Sequence, residues 1–184
     1  MNGNKLSLLK RTSTLLLIGT VCCFSSCTKQ DREILIAQQI KDIDTYSVSI
    51  VAAGKRLTIN QGSSRLVITE GSGDSLSVGD SVFFDYAGYI FQSGLGQLFD
   101  TNVDEISSTL GINIYNRGFN YGKSTVGNGI LIKGLDWGLL GAKKGEEAYI
   151  VFPTSLGFSN TNVGLVPKMS PLIYQVWIKE IKKN

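Results

Sequence analysis

Apolar and polar residues alternate along several stretches of the chain, which is typical of strands with one buried face. From Val82 to Ile90, every second residue is apolar or glycine. Leu172 to Ile181 alternates in the same way, and Ala148 to Phe152 is a shorter run of the same kind. Arg65 to Glu70 is a further short apolar stretch. The pattern predicts an antiparallel sheet in the C-terminal two-thirds of the chain.

Two segments instead follow helical spacing. From Asp31 to Ala53, apolar residues recur every three to four positions, which predicts a helix over at least the first half of the segment. Its second half fits either a continued helix or a short strand. The second segment, Leu135 to Ala142, is followed by Lys143, Lys144 and Gly145, a basic last turn with a glycine C-cap. A sheet wrapped against one short helix is an α+β architecture.

The segments between these elements suggest where domains begin. Gly54 to Ser64 is polar and rich in turn residues, and it is taken as a boundary. We therefore expect a signal peptide over residues 1–26, a helical arm and linker over 27–63, and one domain over 64–184. The arm is interpreted as holding the domain away from a membrane, or alternatively as a dimerisation helix.

The first residues resemble a bacterial lipoprotein signal. Three basic residues precede the apolar run Leu15 to Phe24, which is shorter than the ~20 residues that span a bilayer. Ser25 and Ser26 then lead into Cys27 and a polar stretch, which resembles the site where the signal is cleaved before a lipidated cysteine. The resemblance implies lipidation at Cys27 and attachment to the membrane of the cell envelope. The alternative is that the cysteines are ordinary parts of a secretory signal.

Composition excludes several classes of function. The chain contains no histidine, and its three cysteines all lie at or before Cys27. Histidine-dependent catalytic triads and a structural zinc site are therefore not expected. The formal charge of +3 is carried by residues 1–26, so the chain without them is neutral and has no basic stripe for nucleic acid. We expect no metal, no cofactor and no nucleic-acid partner.

An ordered series of motifs resembles the FKBP-type peptidyl-prolyl cis-trans isomerases. The motifs are Ser77-Val78-Gly79-Asp80, Tyr86-Ala87-Gly88, Phe99-Asp100, Leu131-Ile132-Lys133-Gly134-Leu135, Gly138 to Glu146 and Val166-Pro167. Single pieces of this kind are common, but their order over Arg65 to Lys182 follows that of the family. The resemblance implies an FKBP-like fold, with the short helix beneath a pocket walled by aromatic residues.

The resemblance also implies roles for individual residues. Tyr86, Asp100 and the backbone N–H of Ile132 are expected to take part in hydrogen bonding around the substrate, with Asp100 accepting from the Tyr86 hydroxyl. The residues expected to bind substrate are Phe99, Leu131, Leu135, Phe158, Val166 and Tyr174. Taken alone, Phe99, Leu131, Ile132 and Leu135 are more typical of the packed core of any β-rich fold, so their joint role rests on the resemblance.

The chain departs from the family at three places. Leu135 stands where tryptophan is frequent, and Phe158 stands where a tyrosine usually contacts the substrate carbonyl. The stretch from Thr101 to Val126 is longer than usual and rich in Asn, Ser and Gly. It is interpreted as a surface insertion, a lid or a partner-binding loop, and Tyr121 is only a guess for the pocket aromatic residue of this region.

The function expected from these features is isomerisation of Xaa-Pro bonds in exported polypeptides at the cell envelope. A non-catalytic FKBP-like lipoprotein that binds a peptide or partner is the first alternative. A lipoprotein subunit that uses the fold only as a scaffold is the second.

Overall fold

The structure is a computed structural model in which residues 29–109 and 122–184 are described. The expected signal peptide, Cys27 and Tyr121 lie outside the described residues. The chain divides into two compact units, residues 1–38 and Gln39–Asn184. In the first unit, residues 29–38 are helical. The second unit begins with a helix over residues 39–52, α1, so the helical alternative is correct for the second half of this segment.

An antiparallel seven-stranded sheet forms the body of the second unit, with strand order β1-β2-β6-β7-β3-β4, and β5 also pairs with β3. The strands are β1 Arg56–Asn60, β2 Ser63–Thr69, β3 Ser81–Phe91, β4 Leu95–Thr101, β5 Lys123–Thr125, β6 Glu147–Phe152 and β7 Leu172–Lys182. The helices that follow α1 are α2 Asp104–Thr109 and α3 Lys133–Leu139, and Thr154–Leu156 forms a 3-10 turn.

Both faces of the sheet carry a hydrophobic cluster, as the side-chain alternation along the strands requires. The main cluster contains Phe84 and Tyr86 of β3 with Tyr174 and Val176 of β7, and α3 covers it through Leu135. The second cluster lies on the opposite face. Its buried members are Ile43, Leu66, Phe91, Val151 and Ile173, and Tyr46 and Ile50 of α1 pack against it. Residues 39–52 are therefore packed on the sheet.

Helix α3 differs in its bounds from the predicted helix over Leu135 to Ala142. It begins at Lys133, after the extended backbone of Ile132, and ends at Leu139. The chain leaves the helix because Leu140 has a ψ of 129° and Gly141 has a φ of +80°. Gly141 rather than Gly145 is therefore the glycine that directly follows the helix.

Three short strands, β1, β4 and β5, were not predicted. Strand β1 occupies Arg56–Asn60, inside the segment expected to be a linker, and pairs with β2 through a tight turn at Gln61 and Gly62. Both turn residues have positive φ, 48° and 86°, which matches the twist of a hairpin. Strand β4 also lies at an edge of the sheet and, within residues 29–109 and 122–184, pairs with β3 alone. Half-exposed edge strands carry a weak apolar alternation, which explains why the sequence pattern does not mark them.

Among the described residues, the structure contains no helix of sufficient length and apolar character to span a membrane.

Candidate active site

Tyr86 and Asp100 meet across the β3–β4 pair. The Tyr86 hydroxyl donates a hydrogen bond to Asp100 Oδ2 at 3.0 Å. Tyr86 is fully buried in the main cluster, whereas Asp100 is half-buried. The hydrogen bond that the family resemblance implies between these two side chains is present.

The segment that follows β4 fixes the backbone of β3 at Tyr86. The Tyr86 N–H donates to Asn102 Oδ1 at 2.7 Å, and Asn102 Nδ2 donates to the Phe84 carbonyl at 3.1 Å. The hydroxyl of Thr101 donates to the Tyr86 carbonyl at 2.7 Å. The side-chain amide of Asn102 thus makes hydrogen bonds to the β3 backbone of the kind that a neighbouring strand would make. These bonds hold the backbone of Tyr86, whose hydroxyl contacts Asp100.

Aromatic rings form a continuous wall beside this pair. The ring centroid of Tyr174 lies 6.0 Å from Tyr86 and 5.7 Å from Phe99, with a nearly perpendicular contact to Phe99. Phe158 meets the other side of Phe99 edge-on at 6.4 Å. Phe152 stacks on Tyr174 at 6.0 Å. Perpendicular and offset ring contacts of this kind are favourable for aromatic pairs.

Gly88 makes the contact between Phe99 and Tyr174 possible. It pairs with Asp100 on one side and with Tyr174 on the other. A Cβ at this position would lie 2.9 Å from Phe99 Cζ and 2.9 Å from Tyr174 Cε1. The absence of a side chain at Gly88 therefore lets both rings close over the strand.

Helix α3 approaches the sheet closely from the other side of the cluster. A Cβ on Gly134 would lie 2.2 Å from the ring of Phe152, and one on Gly138 would lie 2.2 Å from Ile150. The close approach brings Leu135, which is fully buried, into the main cluster. Leu131 is also buried there, and the half-buried Ile132 packs against it.

A buried carboxylate ties the segment before α3 to the helix. The Gly127 N–H donates to both carboxylate oxygens of Asp136, at 2.9 and 3.2 Å. Asp136 is itself buried and lies in the first turn of α3. This contact holds the chain that leads to Leu131 and Ile132.

The structure brings together all of the residues that were predicted for the site. Tyr86, Phe99, Leu131, Leu135, Val166 and Tyr174 are buried members of the main cluster; Ile132 and Phe158 pack against it, and Asp100 joins it through Tyr86. Their catalytic and binding roles remain predictions.

Sequence reasoning missed Gly88, Asn102 and Asp136. Gly88 was part of a quoted motif, but its role depends on which rings close over it. Asn102 directly follows the Phe99-Asp100 motif, and Asp136 lies within the predicted helix. The partners of Asn102 and Asp136 lie 9 to 18 residues away along the chain, so the local sequence pattern does not mark these contacts.

No group of three or more acidic, cysteine or histidine side chains suited to a metal ion occurs within residues 29–109 and 122–184.

Comparison with known proteins identifies the family. Residues 73–179 match the family model of the FKBP-type peptidyl-prolyl cis-trans isomerase. The chain belongs to the FKBP family. Members of this family are generally peptidyl-prolyl isomerases. The matched segment includes all of the site residues described above.

Two fungal FKBPs are similar to this one over nearly their whole length. FK506-binding protein 1 of Gibberella zeae is 32% identical over 123 residues, which cover 65% of this chain and 98% of the relative. FK506-binding protein 1 of Aspergillus oryzae is 29% identical over 126 residues, covering 65% of this chain and 98% of that protein.

A solved structure of another FKBP shares the fold. The crystal structure of the three FKBP domains of wheat FKBP73 superposes with a TM-score of 0.54 at 21% identity. The match covers 71% of this chain and 50% of the wheat chain. The expected FKBP-like α+β fold, with an antiparallel sheet, a short helix and an N-terminal helix, is therefore confirmed.

Proposed function

We propose that this FKBP accelerates the cis–trans isomerisation of Xaa-Pro bonds in exported polypeptides at the cell envelope. The observation that carries the proposal is the hydrogen bond between Tyr86 and Asp100, set beside the aromatic wall of Phe99 and Tyr174. Membership of the FKBP family supports this reaction. The sequence similarity to the two fungal FK506-binding proteins supports a site of the FKBP type.

The reaction requires no nucleophile and no proton transfer. The planar amide is stabilised by resonance, which imposes a barrier of about 18–20 kcal/mol on rotation of the C–N bond. Resonance also places negative charge on the carbonyl oxygen. An apolar site stabilises this dipolar planar form less than water does, so it lowers the energy of the twisted form relative to the planar one. The absence of histidine from the chain is therefore compatible with catalysis.

The described residues supply the groups that such a mechanism needs. The apolar side chains of Leu131, Leu135 and Tyr174 are suited to hold a proline ring away from water. The backbone N–H of Ile132 is the donor proposed for the substrate carbonyl. Asp100 accepts from Tyr86 and thereby fixes the direction of the hydroxyl at the edge of the aromatic wall.

The N-terminal sequence supports the proposed location at the envelope. The short apolar run after Lys5, Lys10 and Arg11 and the small residues before Cys27 support export and lipidation. A lipid on Cys27 would place the domain at the membrane surface, where newly exported chains expose Xaa-Pro bonds.

A non-catalytic module that binds a peptide or partner is the second candidate. Phe158 favours it, because a phenylalanine cannot donate the hydrogen bond that the family's usual tyrosine offers to the substrate carbonyl. One neutral hydrogen bond contributes about 0.5–1.5 kcal/mol, which corresponds to about a two- to tenfold change in rate. A loss of this size would weaken catalysis without abolishing it, so it leaves the isomerase as the first candidate.

The deciding experiment measures the relaxation of a short Xaa-Pro peptide from cis to trans. We expect the wild-type protein to accelerate relaxation, and Tyr86→Phe and Asp100→Ala to lower kcat/KM by about three- to tenfold. Removal of either partner breaks the hydrogen bond at the edge of the site.

Two matched variants control for nonspecific effects. Tyr89→Phe removes a hydroxyl from the same strand, but Tyr89 packs in the second cluster on the opposite face. Asp85→Ala removes a carboxylate that pairs with Lys179 near the surface. Both should retain the wild-type rate. No acceleration by the folded wild-type protein would reject the isomerase and favour the binding module.

A further inference from the structure

The loop between β6 and β7 forms part of the proposed site. We call residues 153–171 the pocket loop. It carries Phe158, whose ring meets Phe99 at 6.4 Å, and Val166, which is buried in the main cluster. The conformation of the pocket loop therefore determines one wall of the site.

The base of the pocket loop is held in an unusual backbone conformation. Ser159 and Met169 both have positive φ, 52° and 62°. These values lie in the left-handed region, which residues other than glycine rarely adopt. The two residues are joined, since the Met169 N–H donates to the Ser159 carbonyl at 2.7 Å. Such a conformation persists only where surrounding contacts enforce it.

Gln39 of α1 supplies contacts to both ends of the pocket loop. Its Nε2 donates to the Met169 carbonyl at 2.7 Å, and its Oε1 accepts from the Thr154 N–H at 2.9 Å. The side chain is buried, with 5% exposure. One amide group therefore joins the start of the loop to its end and satisfies both of its own polar groups.

Apolar packing at this place is incomplete. A half-open cavity of about 290 Å³ lies among α1, the β1–β2 hairpin and the start of the pocket loop. Its lining includes Ile40, Ile43 and Asp44 on the helix and Pro153, Ser155 and Leu156 on the loop. Helix α1 and the start of the pocket loop are therefore not in full apolar contact there, and the two hydrogen bonds of Gln39 join the helix to the loop.

We propose that Gln39 is a positioning residue that fixes the pocket loop and thereby sets the affinity of the site for its Xaa-Pro substrate. The inference rests on the proposed isomerase function for its kinetic consequence. Residue 39 lies outside the segment that matches the FKBP family model, residues 73–179. Helix α1 therefore adds to this FKBP a control over substrate binding that the matched domain itself does not contain.

The test compares Gln39→Met, which keeps the length of the side chain but removes both hydrogen bonds, with Lys41→Met on the exposed side of α1. When the pocket loop samples other conformations, the apparent affinity falls by the fraction of molecules in which it is correctly placed. We expect Gln39→Met to raise KM by about five- to tenfold, with kcat changed by less than about twofold, because the remaining site is intact. Lys41→Met should retain both constants.

Hydrogen–deuterium exchange tests the same proposal without catalysis. Gln39→Met should accelerate exchange in residues 154–169, while exchange in β3 and β7 stays as in the wild type. Gln39→Asn retains both polar groups on a side chain that is one methylene shorter, so it should show the same changes to a smaller extent. It also serves as the test variant if Gln39→Met does not fold.

The outcomes separate this proposal from the proposed function. Unchanged KM and unchanged exchange in residues 154–169 of a folded Gln39 variant would overturn the positioning role. A uniform increase of exchange over the whole sheet would also overturn it, because it would show only a loss of global stability. If the wild-type protein is not an isomerase, the proposed function fails, and the exchange measurement alone decides the role of Gln39.

Discussion

Phe158 packs its ring against Phe99, at a position where FKBPs usually carry a tyrosine. The ring retains the apolar contact of the usual residue, and only the hydroxyl is missing. The change therefore leaves the wall of the site in place and removes one donor. Its effect should be largest for ligands that present a carbonyl oxygen at this place.

A macrolide ligand provides a direct measure of that missing donor. We expect FK506 to bind the wild-type protein with a Kd above about 1 µM. Phe158→Tyr should lower the Kd by about two- to tenfold. Isothermal titration calorimetry on both proteins measures the difference. Submicromolar binding by the wild type would contradict the prediction, and Phe83→Tyr, on the outward-facing side of β3, should leave the affinity unchanged.

Individual site residues could be predicted from the sequence only where an ordered motif surrounds them. Tyr86, Phe99 and Asp100 lie in such motifs, and the structure places them together. Gly88 and Asn102 could not be assigned a role, because their importance comes from contacts with Tyr174 and Phe84 that depend on strand register. Local pattern alone carries no information about register between distant strands.

At the scale of elements, the position of α3 depends on glycine. The side chains of Phe152 and Ile150 occupy the space in which Gly134 and Gly138 would carry a Cβ. Helix propensity alone would favour alanine over glycine by about 0.5–1 kcal/mol. The short distance between the helix and the sheet favours glycine instead. The two effects therefore predict changes of opposite sign in the free energy of unfolding when a glycine is replaced by alanine.

Substitution of Gly134 decides between these effects. We expect Gly134→Ala to lower the free energy of unfolding by about 1–3 kcal/mol, because the added methyl group forces the helix away from Phe152. Urea unfolding measures the change. Lys133→Ala, at the exposed first position of the same helix, should change stability little. A gain in stability for Gly134→Ala would show that the helix–sheet contact is looser than described.

Strands with strong alternation were predicted well, whereas helix ends and edge strands were not. Strands β3 and β7 were expected within a residue or so of their observed bounds, since both lie in the middle of the sheet and bury one complete face. The end of α3 was wrong because Gly141, with positive φ, stops the helix before the predicted glycine. Edge strand β1 buries little surface and leaves little trace in the pattern.

A buried ion pair between two elements could not be predicted from the sequence pattern either. Arg65 of β2 donates to Glu146, and both side chains are almost completely buried. Burial raises the pKa of the Glu146 carboxyl and lowers the pKa of the Arg65 guanidinium. Arg65 was predicted only as the start of an apolar strand, because a buried charge becomes acceptable through a partner that is distant in sequence.

At the scale of the whole molecule, the second unit covers both faces of its sheet. Helix α3 and the site lie on one face, and residues of α1 pack on the other through Ile43, Tyr46 and Ile50. The predicted helix of the N-terminal segment is thus present, but its residues from Gln39 onward belong to the same compact unit as the sheet.

We propose that a lipid on Cys27 attaches the protein to a membrane. Residues 1–26 carry the whole formal charge of +3, so the proposed cleavage before Cys27 would leave a chain of zero formal net charge. Acyl chains contribute about 0.8 kcal/mol per buried CH₂, and stable anchoring needs more than one such chain or an additional signal.

In the native host, we expect the wild type to incorporate labelled fatty acid and to sediment with membranes. Cys27→Ser should abolish both, whereas Cys22→Ser should change neither, because Cys22 lies within the segment that the proposed cleavage would remove. Membrane sedimentation of Cys27→Ser, or an unlabelled wild-type protein, would contradict lipidation at this cysteine and leave the isomerase proposal unaffected.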